Sequence, residues 1–242
     1  MAFFITLEGG EGSGKTTQIR RLKGYLARRG IPCHVTREPG GCSIGEKIRK
    51  ILLDPGHYTM APLSELFLYE AARAQHVTEV IEPLLKRGVT VLCDRFADAT
   101  TAYQGYGRRL NLPWVDSLNH LATGGRRPDV TFLLDCPPGK GLERALGRNR
   151  SRNLDKEGRF EEERLSFHRR VRKGYLAIAR KEPQRVKIID ARQGEEKVFE
   201  KIRQVVDELM EDDLAKSRHS GEIRSPGNLR RFEKTGFRLP PE

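Results

Sequence analysis

Apolar residues fall into short unbroken runs, separated by longer stretches in which they recur every three or four positions. The runs Phe3–Leu7, Cys33–Thr36, Val89–Cys93, Val130–Leu134 and Val186–Ile189 read as five strands. They are apolar throughout rather than alternating, so both faces of the sheet they build are covered. Helical periodicity marks Lys15–Arg29 (closed by Gly30), Leu63–Lys86, Pro113–Thr123, Pro138–Leu146, Glu161–Lys181 and Glu195–Glu211. Strand–helix–strand repetition predicts an α/β fold: a five-stranded parallel sheet in three α/β/α layers, with ligands at the C-terminal strand edge. Three strands run straight into polar residues there, at Asp94-Arg95, Asp135 and Asp190. Residues 215–242 hold three Gly, three Pro and seven Lys/Arg against three acids, without sustained periodicity. They read as a flexible basic extension. The expected division is therefore a catalytic-size domain over 1–212 and an extension over 213–242.

Composition narrows the classes. The chain has 242 residues, and 45 Lys/Arg against 33 acids give a formal charge of +12. Such an excess suggests a polyanionic partner but is silent on fold. No apolar run approaches the roughly 20 residues that cross a bilayer, so no membrane partner is expected. The N-terminus MAFFITLEGG has neither a basic n-region nor an h-region, so no signal peptide is expected. Cys33, Cys42, Cys93 and Cys136 are far apart, which argues against zinc or disulfides and for reduced thiols in the cytoplasm.

The strongest local signal follows the first strand. Gly9-Gly10-Glu11-Gly12-Ser13-Gly14-Lys15-Thr16 has the spacing G-x4-G-K-[ST], between a strand and a helix. Glycines there let backbone N–H groups wrap phosphate oxygens, Lys15 reaches the β- and γ-phosphates, and the Thr16 hydroxyl can bind magnesium. The following helix adds its positive end. This predicts nucleoside triphosphate binding and leaves motor, switch, transporter and kinase open. Asp94 can complete a magnesium shell or cap the next helix; the residues alone weigh these equally. Arg95 beside it suits a second phosphate.

Two further features separate those classes. Arg37, in Thr36-Arg37-Glu38-Pro39-Gly40-Gly41, stands at another strand end before a turn that lets backbone approach a ligand. Residues 144–173 carry eleven basic side chains against five acids, and Gly147–Glu161 within them has no apolar stripe. Most such runs are solvated faces. Beside a phosphate cradle, this one reads as a lid over residues 147–161 that would bring arginines to transferring phosphates and exclude water. One donor cradle, a second anion clamp and a lid fit a kinase of small phosphorylated substrates, working by in-line transfer.

Taken together, LEGGEGSGKTT (7–17), TREPGG (36–41), GEKIR (45–49), LYEAARAQH (68–76), DRFADATTAYQGYGR (94–108), RRPDVTFLLD (126–135), RFE (159–161) and FHRRVRKGYL (167–176) resemble bacterial thymidylate kinases, over roughly residues 3–210. The resemblance implies a P-loop kinase fold, ATP and dTMP as substrates, magnesium, and a homodimer without nucleic acid. It implies that Gly9, Gly10, Glu11, Gly12, Ser13, Gly14, Lys15, Thr16 and Thr17 hold ATP, and that Thr16 and Asp94 hold the metal. Glu11 would also meet the deoxyribose 3′-hydroxyl, and Arg37, with Pro39 beside it, and Arg95 the acceptor phosphate. Tyr69 would stack on thymine, Arg73 donate to its O4, Thr100 meet the base edge, and Tyr103 and Gln104 lie by sugar and base. Lys15 and Arg95, with Arg148, Arg152 and Arg159 from the lid, would act on the transferring phosphates. Tyr69 and Arg73 are four apart and share a helix face, although core packing also explains Tyr69 and Tyr103. Cys42, Ala99 and Gly158 depart from the family pattern, which commonly has Thr, a small hydroxyl residue and Asp there.

Two alternatives stay open at this stage: a kinase of UMP or CMP, and a nucleic-acid-dependent ATPase. Splitting the charge weighs against the second. The 144–173 window carries +6 and residues 215–242 carry +4 of the total +12.

Overall fold

The computed structural model describes residues 2–152 and 158–219, with the side chains of 148–152 and 216–219 left aside. Five strands, β1 (Phe4–Glu8), β2 (Cys33–Arg37), β3 (Thr90–Asp94), β4 (Val130–Asp135) and β5 (Val186–Asp190), pair in the order β2-β3-β1-β4-β5. Every pairing is parallel, with Leu7 beside Asp94 on one side and beside Phe132 on the other. The central strands are buried on both faces, as their unbroken apolar runs predict: Ile5, Leu7, Val91, Leu92, Phe132 and Leu134 are inaccessible.

From β1 the chain crosses to the β2 edge, and from β3 it crosses back over β1 to β4. The crossovers diverge between β1 and β3, which opens a crevice at their C-terminal ends. The phosphate-loop sequence follows β1, and Asp94-Arg95 closes β3, so both border that crevice.

The helices are α1 (Lys15–Arg28), α2 (Ser43–Leu53), α3 (Pro62–His76), α4 (Glu82–Lys86), α5 (Ala97–Thr100), α6 (Leu112–Thr123), α7 (Pro138–Arg152), α8 (Leu165–Lys181) and α9 (Glu195–His219). Four departures from the expected pattern have local causes. The expected helix 63–86 is continuous but passes through a π-turn at Val77–Ile81, where the Glu82 N–H bonds Val77 O. Pro83 has no N–H to continue the regular ladder, and the wider turn absorbs the gap. A second π-turn, Thr101–Gly107, follows α5 in a segment without helical apolar spacing. α2 starts on Cys42, whose Sγ accepts from the Gly45 N–H at 3.4 Å; sulfur is a weak cap that gives little sequence signal. The expected helix 161–181 begins only at Leu165, because Gly158–Glu163 are held in turns.

Contacts group residues up to Val205 into one compact unit, which contains the sheet and the crevice. The second unit begins at Val206 and, among the described residues, consists of the remainder of α9 through His219. The extension expected from residue 213 begins instead as a continuation of α9, which runs to His219, and its residues beyond 219 lie outside the described residues. No described helix is long and apolar enough to cross a membrane.

Candidate active site

The loop after β1 bends over the N-terminus of α1. Gly9, Gly12 and Gly14 all have positive φ, and a Cβ on Gly9 would sit 2.6 Å from Leu134 O. Gly14 caps α1 in the left-handed conformation with no side-chain hydrogen bond. The first N–H groups of α1 are therefore left to an anion rather than to a capping side chain. Lys15 Nζ folds back to Gly9 O and Gly10 O, both at 3.1 Å. Burial, and then the Arg95 charge, push its pKa below the usual lysine value. A second anion there would relieve both.

Asp94 ends β3 directly beside Thr16, whose Oγ1 lies 3.4 Å from Asp94 Oδ2. A hydroxyl and a carboxylate side by side are hard oxygen donors suited to magnesium, which keeps waters and takes only one or two carboxylates from protein. Among the described residues no cluster of three His, Cys, Asp or Glu competes for a metal.

Arg95 follows with φ 71°, a left-handed conformation uncommon outside glycine. That turn aims its guanidinium back over the phosphate loop. Nη1 donates to Gly9 O at 2.8 Å and to the Tyr175 hydroxyl at 3.3 Å, and Nη2 donates to Glu11 Oε2 at 2.6 Å. The Tyr103 hydroxyl donates to both Glu11 oxygens, at 3.0 and 2.9 Å, and its ring lies 5.0 Å below the guanidinium. Burial works against ionisation of Glu11, but Arg95 and then Lys15 outweigh it and hold the carboxyl below the usual range.

Beyond this cluster lies an open cleft of about 200 Å³. Glu11, Lys15, Thr16, Asp94 and Arg95 form its inner end, and Tyr69, Thr100, Tyr103, Gln104 and Phe160 its far end. Arg37, Pro39 and Arg49 border it along a third side. The cleft thus joins a phosphate cradle to an aromatic, amide-bearing pocket, a charged end and a flat apolar end.

Most of the expected substrate-binding residues line this cleft, Arg37 at its border, but Arg73 and Arg159 do not. Arg73 sits behind the wall, only 1% exposed. Its Nε donates to Glu38 at 2.8 Å, its Nη1 to Glu70 at 2.8 Å and Asn119 at 2.9 Å, and its Nη2 to Thr100 at 2.9 Å. Four of its five N–H groups are taken, and it meets the cleft lining through Thr100, Glu38 and the Phe96 ring, 5.4 Å from its guanidinium. Arg37, at the cleft border, is half-exposed and pairs with Glu46 at 3.0 Å.

Arg159 corrects the expectation of a lid arginine. It is buried, with Nε donating to Leu52 O at 2.6 Å and Nη2 to Glu65 at 2.7 Å. Its partners are Glu65 and a helix-end carbonyl, because a buried guanidinium must find acceptors. The expected loop 147–161 is also shorter than anticipated, since α7 continues as helix to Arg152. The side chains of Arg148 and Arg152 lie outside those described, as do residues 153–157.

Sequence reasoning did not single out Arg49, Phe160 or Glu161 as cleft residues, nor Glu65 and Tyr175 behind it. Phe160 and Glu161 sat in the RFE motif and Arg49 in GEKIR, so a position was marked without its role. Glu65 gave no signal, because its partners are distant in sequence.

The thymidylate kinase family model matches residues 7–202. The chain belongs to the thymidylate kinase family. It is 58% identical over 191 residues to the thymidylate kinase of Syntrophotalea carbinolica, covering 79% of this chain and 88% of that protein. The Geobacter sulfurreducens thymidylate kinase is 55% identical over 196 residues, covering 81% and 92%. The solved structure of the Ehrlichia chaffeensis thymidylate kinase superposes with a TM-score of 0.67 at 32% identity, covering 85% of this chain and 98% of that one. The family match spans the phosphate loop, the Asp94-Arg95 strand end and the aromatic pocket, so the cleft lies wholly within it.

Proposed function

We propose that the protein phosphorylates dTMP to dTDP with ATP. The observation that carries this reading is the cleft itself: a phosphate loop at one end, Arg95 and Glu11 at the junction, and a flat aromatic pocket beyond. Homologues named thymidylate kinase at 51–58% identity support it. Neither a UMP or CMP kinase nor a nucleic-acid-dependent ATPase gains support from the family match.

In this reading Gly9–Thr17 bind the ATP phosphates through backbone N–H groups and the α1 N-terminus. Lys15 releases its two carbonyls and meets the β- and γ-phosphates. Arg95, already desolvated beside Gly9 and Glu11, holds the acceptor phosphate in line with the donor, and Arg37 with Pro39 flanks it. Tyr69 and Phe160 stack on the base, Thr100 and Gln104 meet its edge, with Arg73 supporting Thr100 from behind. Glu11 and Tyr103 take the sugar 3′-hydroxyl. Transfer is dominated by positioning and by cations near the charge that develops on the moving phosphoryl group. Thr16 and Asp94 would hold magnesium, which when bound neutralises phosphate charge. Arg148 and Arg152 stand as further candidates for phosphate contact.

The activity is assigned to residues 1–212, with 213–242 as an extension, in a cytoplasmic setting without nucleic-acid or membrane partners. A homodimer is part of the proposal. Ile44 and Ile51 on α2 and Leu63 and Phe67 on α3 are each exposed by 43–51% on two packed helices. Such an apolar stripe suits a second copy of the chain.

Product analysis tests the reaction. Purified protein with ATP, dTMP and magnesium should yield dTDP and ADP in equal amounts. ATP consumption without dTDP, or stimulated by DNA instead, would contradict it.

A further inference from the structure

Glu65 carries a charge where the packing needs none. It lies on α3 one turn before Tyr69 and has no exposed surface. Its carboxylate accepts from Gln104 Nε2 at 2.8 Å, Arg108 Nε and Nη2 at 3.1 and 3.0 Å, and Arg159 Nη2 at 2.7 Å. Arg108 reaches on to Glu163, and Arg159 to Leu52 O at 2.6 Å. Two arginines and two carboxylates thus balance, the Glu65–Arg159 pair buried and the Arg108–Glu163 pair partly exposed, knotting α3 to the π-turn and to the turn at Gly158–Glu163.

A volume-matched apolar residue would avoid the cost of desolvating these charges, so stability alone does not explain the arrangement. Direction does. Each contact fixes a side chain or segment of the cleft wall. A carboxylate accepts only, so the Gln104 amide must turn its nitrogen to Glu65, leaving the amide oxygen as the end available to the cleft it lines. Arg159, stacked 4.6 Å from the Phe160 ring, ties that ring to the wall. There Phe160 meets Tyr103 edge-on at 5.4 Å and Tyr69 at 6.4 Å. Tyr69 itself follows Glu65 by four residues on the same helix face.

We infer that Glu65 is a positioning residue of the acceptor pocket. It presents the Gln104 oxygen to a base that carries a ring N–H donor, and it clamps Phe160 against Tyr103 and Tyr69 as an apolar wall. Among the described residues its hydrogen bonds and ion pairs go to Gln104, Arg108 and Arg159, and none goes to the phosphate loop. The inference rests on the dTMP reading given above, and it assigns to Arg159 the task of holding the pocket rather than the transferring phosphate.

Glu65→Gln, nearly isosteric, tests it through separate kinetic constants. A second side-chain amide no longer dictates how Gln104 is turned, and both arginines lose their shared charge. KM for dTMP should rise about tenfold, the worth of one charge-assisted hydrogen bond, with KM for ATP within about twofold of the parent. Calorimetric titration of dTMP without ATP should show the same loss. Arg159→Gln keeps the Glu65–Arg108 pair and should repeat the split, which decides the matter if Glu65→Gln does not fold. A rise in both KM values together, or lower stability with an unchanged KM for dTMP, would overturn the inference. A parent enzyme that makes no dTDP would overturn the functional reading instead, so the two failures are distinct.

Discussion

Arg73→Met isolates the largest electrostatic commitment in the wall of the cleft. The side chain is 1% exposed, and its partners Glu38 and Glu70 are 4% and 6% exposed. Methionine keeps most of the apolar stem but leaves two buried carboxylates facing each other without a cation. Removing one partner of a buried pair costs about 3–5 kcal/mol, a sizeable part of the roughly 5–15 kcal/mol that holds a domain folded. For a unit of this size that predicts a fall in Tm of roughly 10 °C. Acid should partly repair the variant. Burial already raises the Glu70 pKa, and Arg73 is the main opposing influence. Without it the burial that raises the Glu70 pKa goes less opposed, so the carboxyl holds its proton to higher pH in the folded state than in the unfolded chain. A group whose folded pKa is raised loses stability as pH climbs, so the deficit should be smaller at pH 5.5 than at pH 8. Urea unfolding followed by circular dichroism at both values measures it. A deficit below about 1 kcal/mol at pH 8, within the range of an exposed ion pair, would refute the picture of Arg73 as a keystone.

Two further outcomes are expected. Lys15→Ala should abolish phosphoryl transfer while leaving dTMP binding near normal, measured by coupled assay and calorimetry; turnover near the parent rate would contradict the loop assignment. Glu8 is fully buried under the crevice, and burial, reinforced by the Asp98 charge, pushes its pKa up to about 8 from 4.5. The folded state therefore binds the extra proton between those values, and stability should fall by the order of a few kcal/mol as pH rises through that window, then level off. Glu8→Gln should flatten the dependence in urea titrations, whereas an unchanged slope would show that another group sets it.

The strands and the phosphate loop were legible because each is encoded locally. Unbroken runs such as VTVLC and VTFLL can only be buried on both faces, and G-x4-G-K-[ST] carries its own geometry. α7 shows where local coding ends. Its last apolar residue is Leu146, yet the helix runs to Arg152, so periodicity marked the buried stripe and not the element. The π-turn at Thr101–Gly107 has no 3.6-residue pattern to read, although it carries Tyr103 and Gln104. The roles of the arginines were the hardest to see. Arg73, Arg95 and Arg159 look equivalent in sequence, but partners fixed by the fold set them apart: Glu38, Glu70, Thr100 and Asn119 for the first, Glu11 for the second, Glu65 for the third. The match to known thymidylate kinases identifies the family. The hydrogen bonds sort the arginines within it.

The central claim is that one end of the cleft is built for an ATP phosphate chain and the other for thymine deoxyribonucleotide. The ratio of kcat/KM for dTMP to that for UMP, at saturating ATP and magnesium, tests it most directly. A ratio of at least about 100 is expected, since a site built to hydrogen-bond a base discriminates strongly against one whose polar groups it leaves unpaired. Equal kcat/KM values for dTMP and UMP, a ratio near one, would contradict it.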